Sequence, residues 1–186
     1  MICYFKRGVT IKTLYLIRHA KSNWKDAKLS DFERGLSRKG KKDLKTMSSF
    51  IALAEVQPDL VISSSALRAQ MTVDSIIDRL EYSGKIHYIN ELYMEKPKTL
   101  LNVITLQDDH FDKMMVVGHN PEMTELSNLF LKEHIHKIPT LGLIEIKFDI
   151  ESWEDILEAE GELGLFIYPN QFKYYIPKKI RDNLKL

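Results

Sequence analysis

The chain has 186 residues, of which 44% are hydrophobic and 28% charged, so it is long enough to bury the core of one domain. Lys and Arg total 27 against 26 Asp and Glu, and this balance excludes a general attraction to nucleic acid or to an anionic membrane. The single cysteine, Cys3, excludes an internal disulfide, and no apolar run approaches the roughly 20 residues of a membrane span. We therefore expect a single domain over 1–186 and a cytoplasmic location, with neither nucleic acid nor membrane as a partner.

Strand and helix patterns alternate along the chain. An apolar run that begins at Thr13 stops at Arg18 and His19, which predicts a buried strand with two polar side chains at its C-terminal end. The residues from Asn23 to Arg34 are polar and aperiodic and are interpreted as a loop. Further helices are predicted over 40–56, 69–80, 99–106 and 122–132, and further strands over 60–62, 85–93 and 114–117.

The pattern changes beyond Pro139. Residues 142–148 and 164–168 are predicted to form two more strands at one side of the sheet. The motif-bearing core then spans about 12–150, and 151–186 holds the last strand and a basic tail, interpreted as a solvated terminus from Pro169 onward.

Three of the predicted strands end in polar residues. Arg18-His19, Ser64 to Arg68 and Gly118-His119 reach one edge of the sheet if these strands are parallel. Two arginines with no carboxylate on the same strand ends form an anion pocket, because a guanidinium group matches phosphate bidentately. Helix N-termini after Ser64 and Asn120 add backbone N–H groups, although Ser64 is equally well explained as a helix cap. The expected ligand is a phosphoryl group.

A histidine among arginines suits nucleophilic attack on phosphorus. The neighbouring cations disfavour imidazolium, so its pKa should lie below the reference value of about 6.5. One ring nitrogen can donate to a backbone carbonyl while the other attacks, and water then hydrolyses the phosphohistidine. The remaining histidines, His87, His110, His134 and His136, are interpreted as structural or solvated. No metal site or cofactor is expected.

Three stretches resemble the motifs of the histidine phosphatase superfamily, also called phosphoglycerate mutase-like. Leu16 to Ser22 is similar to its Arg-His-Gly signature, Ser64 to Thr72 to its second motif, and Val117 to Pro121 to its third. The resemblance implies a three-layer α/β/α sandwich with a mostly parallel central sheet. It also implies that His19 is the phosphorylated nucleophile and that Arg18, Arg68 and His119 form the phosphate pocket. Ser22, Ser64 and Asn120 would make supporting contacts with the substrate.

Two differences from the sugar-phosphate mutases indicate which branch of the superfamily the sequence resembles. Ala20 and Lys25 replace the usual Gly and Asn, and Arg-His-Ala-Lys-Ser is similar to the short SixA-like phosphohistidine phosphatases. Only 28 positions separate Glu91 from His119, too few for the helical insertion that covers the mutase site, so we expect an open cavity. The resemblance places a general acid near the end of the third strand, at Glu91 or else Glu95, although a phosphohistidine substrate reduces the need for one.

The favoured hypothesis is a cofactor-independent phosphatase that acts on phosphohistidine in a partner protein and releases phosphate. A small-molecule phosphomonoesterase is the alternative within enzymes, and mutase activity is the least favoured. A phosphate-binding adaptor without turnover is the alternative outside them. A monomer is the expected assembly state.

Overall fold

Six strands and four α-helices alternate in the computed structural model, which describes residues 11–93 and 96–172. In chain order they are β1 (Ile11–Arg18), α1 (Arg38–Leu53), β2 (Leu60–Ser64), α2 (Leu67–Leu80), β3 (Lys85–Ile89), α3 (Pro97–Thr105), β4 (Lys113–Gly118), α4 (Glu122–Phe130), β5 (Leu143–Asp149) and β6 (Glu162–Ile167). The strands form one sheet in the order β3-β2-β4-β1-β5-β6. Strands β1 to β4 pair in parallel and β5 and β6 add an antiparallel side, so the predicted mostly parallel sheet is confirmed.

Helices cover both faces of the sheet. Alternate residues of β1 point to opposite faces, with Leu14 and Leu16 in one apolar cluster and Tyr15 and Ile17 in the other. The first cluster includes buried side chains of α3 and α4, and the second includes those of α1 and α2. This arrangement is the predicted three-layer α/β/α sandwich, and it buries the parallel strands on both sides.

Most predicted elements agree with the structure to within a few residues, and the differences have local causes. Helix α1 starts earlier than expected because the Ser37 side chain accepts a hydrogen bond from Gly40 N at 3.0 Å. It ends before Val56 because Glu55 adopts a left-handed conformation with φ of 56°.

The C-terminal region contributes to the core beyond its predicted strands. Trp153 lies in the polar stretch between β5 and β6 yet is fully buried. The first residues of the predicted basic tail form a short 3-10 turn, Pro169–Phe172, and the Phe172 ring lies 4.8 Å from that of Phe50. The rest of that tail and Cys3 lie outside the described residues. Within the described ranges, no helix is long and apolar enough to cross a membrane.

We predict that Gly40→Ala lowers the free energy of unfolding by roughly 1–3 kcal/mol, the usual cost of overpacking. A Cβ atom at Gly40 would lie 2.2 Å from the backbone oxygen of Lys21, two residues after His19, and a backbone atom cannot move aside cheaply. Urea unfolding of wild type and variant measures the change.

Gly35→Ala is the matched control for this substitution. Its Cβ would meet the flexible Met71 side chain at 3.1 Å, which can rotate away, so we expect a smaller loss. Equal losses in the two variants would contradict the explanation.

Candidate active site

Strand register places the two candidate histidines side by side. Arg18 of β1 pairs with Gly118 of β4, so His19 and His119 leave adjacent parallel strands at the same level. His19 N donates to the Gly118 carbonyl at 3.0 Å, and the two imidazole centroids are 4.9 Å apart. The structure therefore brings together two of the polar strand ends that the sequence predicted to converge.

The third segment reaches the same place through the start of α2. Arg68 is the second residue of α2, which follows β2, and β2 is the other neighbour of β4. Its Nε atom donates a hydrogen bond to His19 Nε2 at 3.2 Å. Arg18, His19, Arg68 and His119 thus form one cluster at the carboxyl ends of the central strands.

Hydrogen bonding fixes the tautomer of His19. Its Nδ1 atom lies 2.7 Å from the Ala20 carbonyl, which can only accept, so Nδ1 carries the proton and Nε2 keeps its lone pair. Burial lowers the pKa of His19 to about 4, the Ala20 carbonyl opposes this, and Arg68 and Arg18 lower the pKa further. The predicted direction agrees, but burial rather than the arginines is the main cause.

Ser64 holds His119 rather than bordering the cavity. The Ser64 hydroxyl lies 2.9 Å from His119 Nε2 and accepts a hydrogen bond from Ala66 N at 3.3 Å. It is fully buried. Burial, followed by the nearby His19 and Arg68, lowers the pKa of His119 to about 3, and its Nδ1 has no hydrogen-bond partner among the described residues.

A cavity of about 500 Å³ opens above this cluster. Arg18 Nη1 and Asn120 Nδ2 both donate to the Ile138 carbonyl, at 2.9 and 3.0 Å, which orients the two side chains. The predicted substrate contacts Ser22 and Asn120 border the cavity. Its complete lining is Arg18, His19, Lys21, Ser22, Trp24, Asp31, Arg68, His119, Asn120 and Thr140.

The strand ends themselves carry no carboxylate, as the sequence indicated, but the loop after β1 adds Asp31 to the cavity. Arg68 Nη2 donates to Asp31 Oδ2 at 2.9 Å, and Arg68 Nη1 donates to the Asp31 carbonyl at 2.6 Å. The Tyr93 hydroxyl donates to the same Oδ2 at 2.8 Å. Burial acts to raise the pKa of Asp31, but these hydrogen bonds and the Arg68 charge outweigh it and hold the pKa below its usual value.

Glu91 does not reach the cavity. It lies exposed in the 3-10 turn Asn90–Leu92 after β3 and is absent from the cavity lining. The alternative, Glu95, lies outside the described residues. The loop residues Asp31 and Trp24 and the turn residue Tyr93 were missed by the sequence analysis, because none follows a periodic pattern or matches a quoted motif.

The other four histidines lie outside this cavity. His110 is 2.7 Å from Asp108, and His134 and His136 are exposed residues of the segment after α4. Over residues 11–93 and 96–172, no group of three or more His, Cys, Asp or Glu is arranged to hold a metal ion.

We predict that the free energy of unfolding decreases as the pH is lowered from about 6.5 to 4, because the folded state keeps the two buried histidines neutral. Their folded pKa values, about 4 and about 3, lie below the unfolded reference of about 6.5, so the unfolded chain binds more protons in this range. Their contribution is complete above pH 6.5 and is lost as the pH falls. Urea unfolding of His19→Gln from pH 7 to 4.5 should show a shallower slope than wild type.

The control for this pH series is His136→Gln, which alters an exposed side chain. Its stability profile should run parallel to that of wild type. Superimposable slopes for His19→Gln and wild type would show that His19 is not the titrating group.

Comparisons with known proteins agree with this geometry. Residues 14–93 match the model of the histidine phosphatase superfamily (branch 1). A SixA structure from Agrobacterium tumefaciens is 29% identical with a TM-score of 0.74 and covers 85% of this chain and 98% of that one. A second SixA structure, from Nakamurella multipartitia, is 20% identical with a TM-score of 0.73 and covers 86% and 96%.

Among curated sequences, a chloroplastic protein of Arabidopsis thaliana is 26% identical over 162 residues, which are 82% of this chain and 74% of that protein. The family match includes Arg18, His19 and Arg68, and the structural matches extend the agreement over most of the chain. The chain therefore matches the histidine phosphatase superfamily over residues 14–93 and is similar to SixA structures over most of its length, and it has the phosphoglycerate mutase-like fold.

Proposed function

We propose that this phosphatase removes the phosphoryl group from phosphohistidine in a partner protein, through a covalent intermediate on His19. The observation that carries the proposal is the state of Asp31, the carboxylate among the described residues that line the cavity. Asp31 accepts hydrogen bonds from Arg68 and Tyr93, so it is ionised and has no proton to give to a leaving group. An imidazole leaves phosphorus without such help far more easily than an alkoxide does.

In the first step the phosphoryl group occupies the cavity with its oxygens toward Arg18, Arg68 and the unpartnered Nδ1 of His119. The lone pair of His19 Nε2 attacks phosphorus, and the bond from phosphorus to the substrate nitrogen breaks with its electron pair on that nitrogen, so that a ring protonated on its other nitrogen leaves as neutral imidazole. Arg68 Nε, which donates to His19 Nε2 in the free site, transfers its hydrogen bond to a phosphoryl oxygen.

In the second step water attacks the phosphorus of phosphorylated His19, and the P–N bond breaks to release phosphate and neutral imidazole. The Ala20 carbonyl holds the Nδ1 proton throughout, so the same tautomer is restored for the next cycle. Ser22 and Asn120, which border the cavity, are assigned to contacts with the substrate.

Helix α3 does not cover the cavity. Helix α3, the element between β3 and β4, buries Leu100 and Ile104 in the core, and none of its residues borders the cavity. A phosphorylated histidine on a protein surface can therefore approach without the displacement of this helix.

We predict that incubation with a phosphohistidine-containing protein labels His19 with an acid-labile phosphoryl group, and that His19→Ala abolishes both labelling and turnover. Rapid quenching in base followed by mass spectrometry of the peptide detects the label. His136→Ala, outside the cavity, is the control and should label normally. An unlabelled wild-type chain would instead indicate a phosphate-binding adaptor.

Substrate class is decided by turnover of the phosphorylated protein against sugar phosphates and nitrophenyl phosphate. We expect the highest kcat/KM with the phosphorylated protein. Efficient hydrolysis of the small esters alone would favour the alternative of a small-molecule phosphomonoesterase.

We also predict that Asp31→Asn lowers kcat/KM about 10-fold or more, by a similar factor for substrates with good and poor leaving groups. The reason is that Asp31 positions Arg68, and a hydrogen bond to a charged group contributes about 1.5–3 kcal/mol. Asp26→Asn, in the same loop and bonded only to Lys28 N, is the control. A loss confined to poor leaving groups would identify Asp31 as a proton donor instead.

A further inference from the structure

Trp24 is an exposed side chain that is nevertheless held in place at the edge of the catalytic cavity. It is 68% exposed, yet its Nε1 donates to Ser22 Oγ at 3.0 Å and its ring borders the cavity. The other tryptophan, Trp153, is fully buried and belongs to the core. Exposing an indole to water contributes nothing to folding, so its fixed position at the cavity needs another explanation.

The second contact of Trp24 leaves one face of the indole free. The guanidinium carbon of Arg34 lies 4.4 Å from the ring centroid, on one face. Arg34 is only 12% exposed, and it donates to the Leu29 carbonyl at 3.3 Å and lies 3.8 Å from the Asp31 carboxylate. These contacts anchor Arg34 within the loop, so the opposite face of the indole is available to a ligand.

The charges around the cavity differ between its floor and its wall. Arg18 and Arg68 supply the positive floor that suits a phosphoryl group. The wall holds Trp24 and the Asp31 carboxylate, which is 35% exposed, together with the exposed ammonium group of Lys21. Because Asp31 is already paired with Arg68, and Lys21 adds a cation, the indole is the part of the wall that favours a flat ring, and its electron-rich face accepts a positively charged one.

We propose that Trp24 forms a leaving-group subsite, in which the free indole face stacks on the imidazole ring that carries the phosphoryl group. This subsite rests on the proposed function. The phosphorylated ring is cationic when its second nitrogen is protonated, and the indole face stabilises that form. When the P–N bond breaks, its electron pair returns to the ring nitrogen, and neutral imidazole leaves with the proton on its other nitrogen.

The test compares two small substrates with a P–N bond, phosphoimidazole, which has the ring, and phosphoramidate, which lacks it. In Trp24→Ala we expect the KM for phosphoimidazole to rise roughly fivefold more than that for phosphoramidate. Trp24→Phe retains a ring and should recover most of the difference. Leu106→Ala, at another exposed apolar residue, is the control for surface truncation and should behave as wild type.

Fluorescence gives a second readout that a purely structural role would not change. The His19→Ala variant cannot form the intermediate, and phosphoimidazole added to it should quench the fluorescence of Trp24. The double variant His19→Ala/Trp24→Phe lacks this fluorescence and should show no quenching. Because Trp153 is buried, its emission provides a constant background.

The outcomes separate the subsite from the function on which it rests. A KM change of equal size for both substrates, or for neither, would overturn the subsite while leaving the phosphatase activity in place. If wild type turns over neither P–N compound, the proposed function fails. The subsite is then tested by the KM values of the same variants for nitrophenyl phosphate, which has a ring, and acetyl phosphate, which has none. A KM rise for nitrophenyl phosphate alone supports the subsite, and an equal rise for both substrates contradicts it.

Discussion

The site depends on the burial of two uncharged imidazoles next to two guanidinium groups. His19 and His119 are buried at the ends of adjacent parallel strands, where the charged form of each imidazole would lose its hydration. Burial therefore keeps His19 Nε2 free of a proton at neutral pH, and the Ala20 carbonyl decides which nitrogen that is. The fold itself thus leaves His19 with an unprotonated Nε2 at the cavity, before any substrate arrives.

Asp31 offsets the cost of burying the Arg68 guanidinium group in this cluster. A guanidinium group that is largely buried beside another cation is costly unless it is paired, and Asp31 supplies both a carboxylate and a backbone carbonyl to Arg68. The same pairing reduces the net positive charge of the pocket. A pocket with two unpaired arginines would hold the phosphate product tightly, so the carboxylate favours release as well as orientation.

The parts of the site that belong to regular elements could be predicted from sequence, and the loop contributions could not. The apolar run before Arg18 and the run before Gly118 gave the strands, and parallel pairing then required His19 and His119 to meet. Asp31 lies in an aperiodic loop whose path over Arg68 is set by tertiary contacts, including that with Tyr93. Glu91 was placed near the site because of its strand end, but the 3-10 turn leaves it exposed.

The two outer strands of the sheet bear on how another protein can bind. β3 has five residues, begins with Lys85 and is largely uncovered, while β6 meets β5 with a break in register at Glu145 and Ile146. Short, charged or irregular sheet edges disfavour the addition of a strand from another chain. A protein that binds to this phosphatase is therefore expected to be recognised through side chains at the mouth of the cavity, and its own backbone need not unfold.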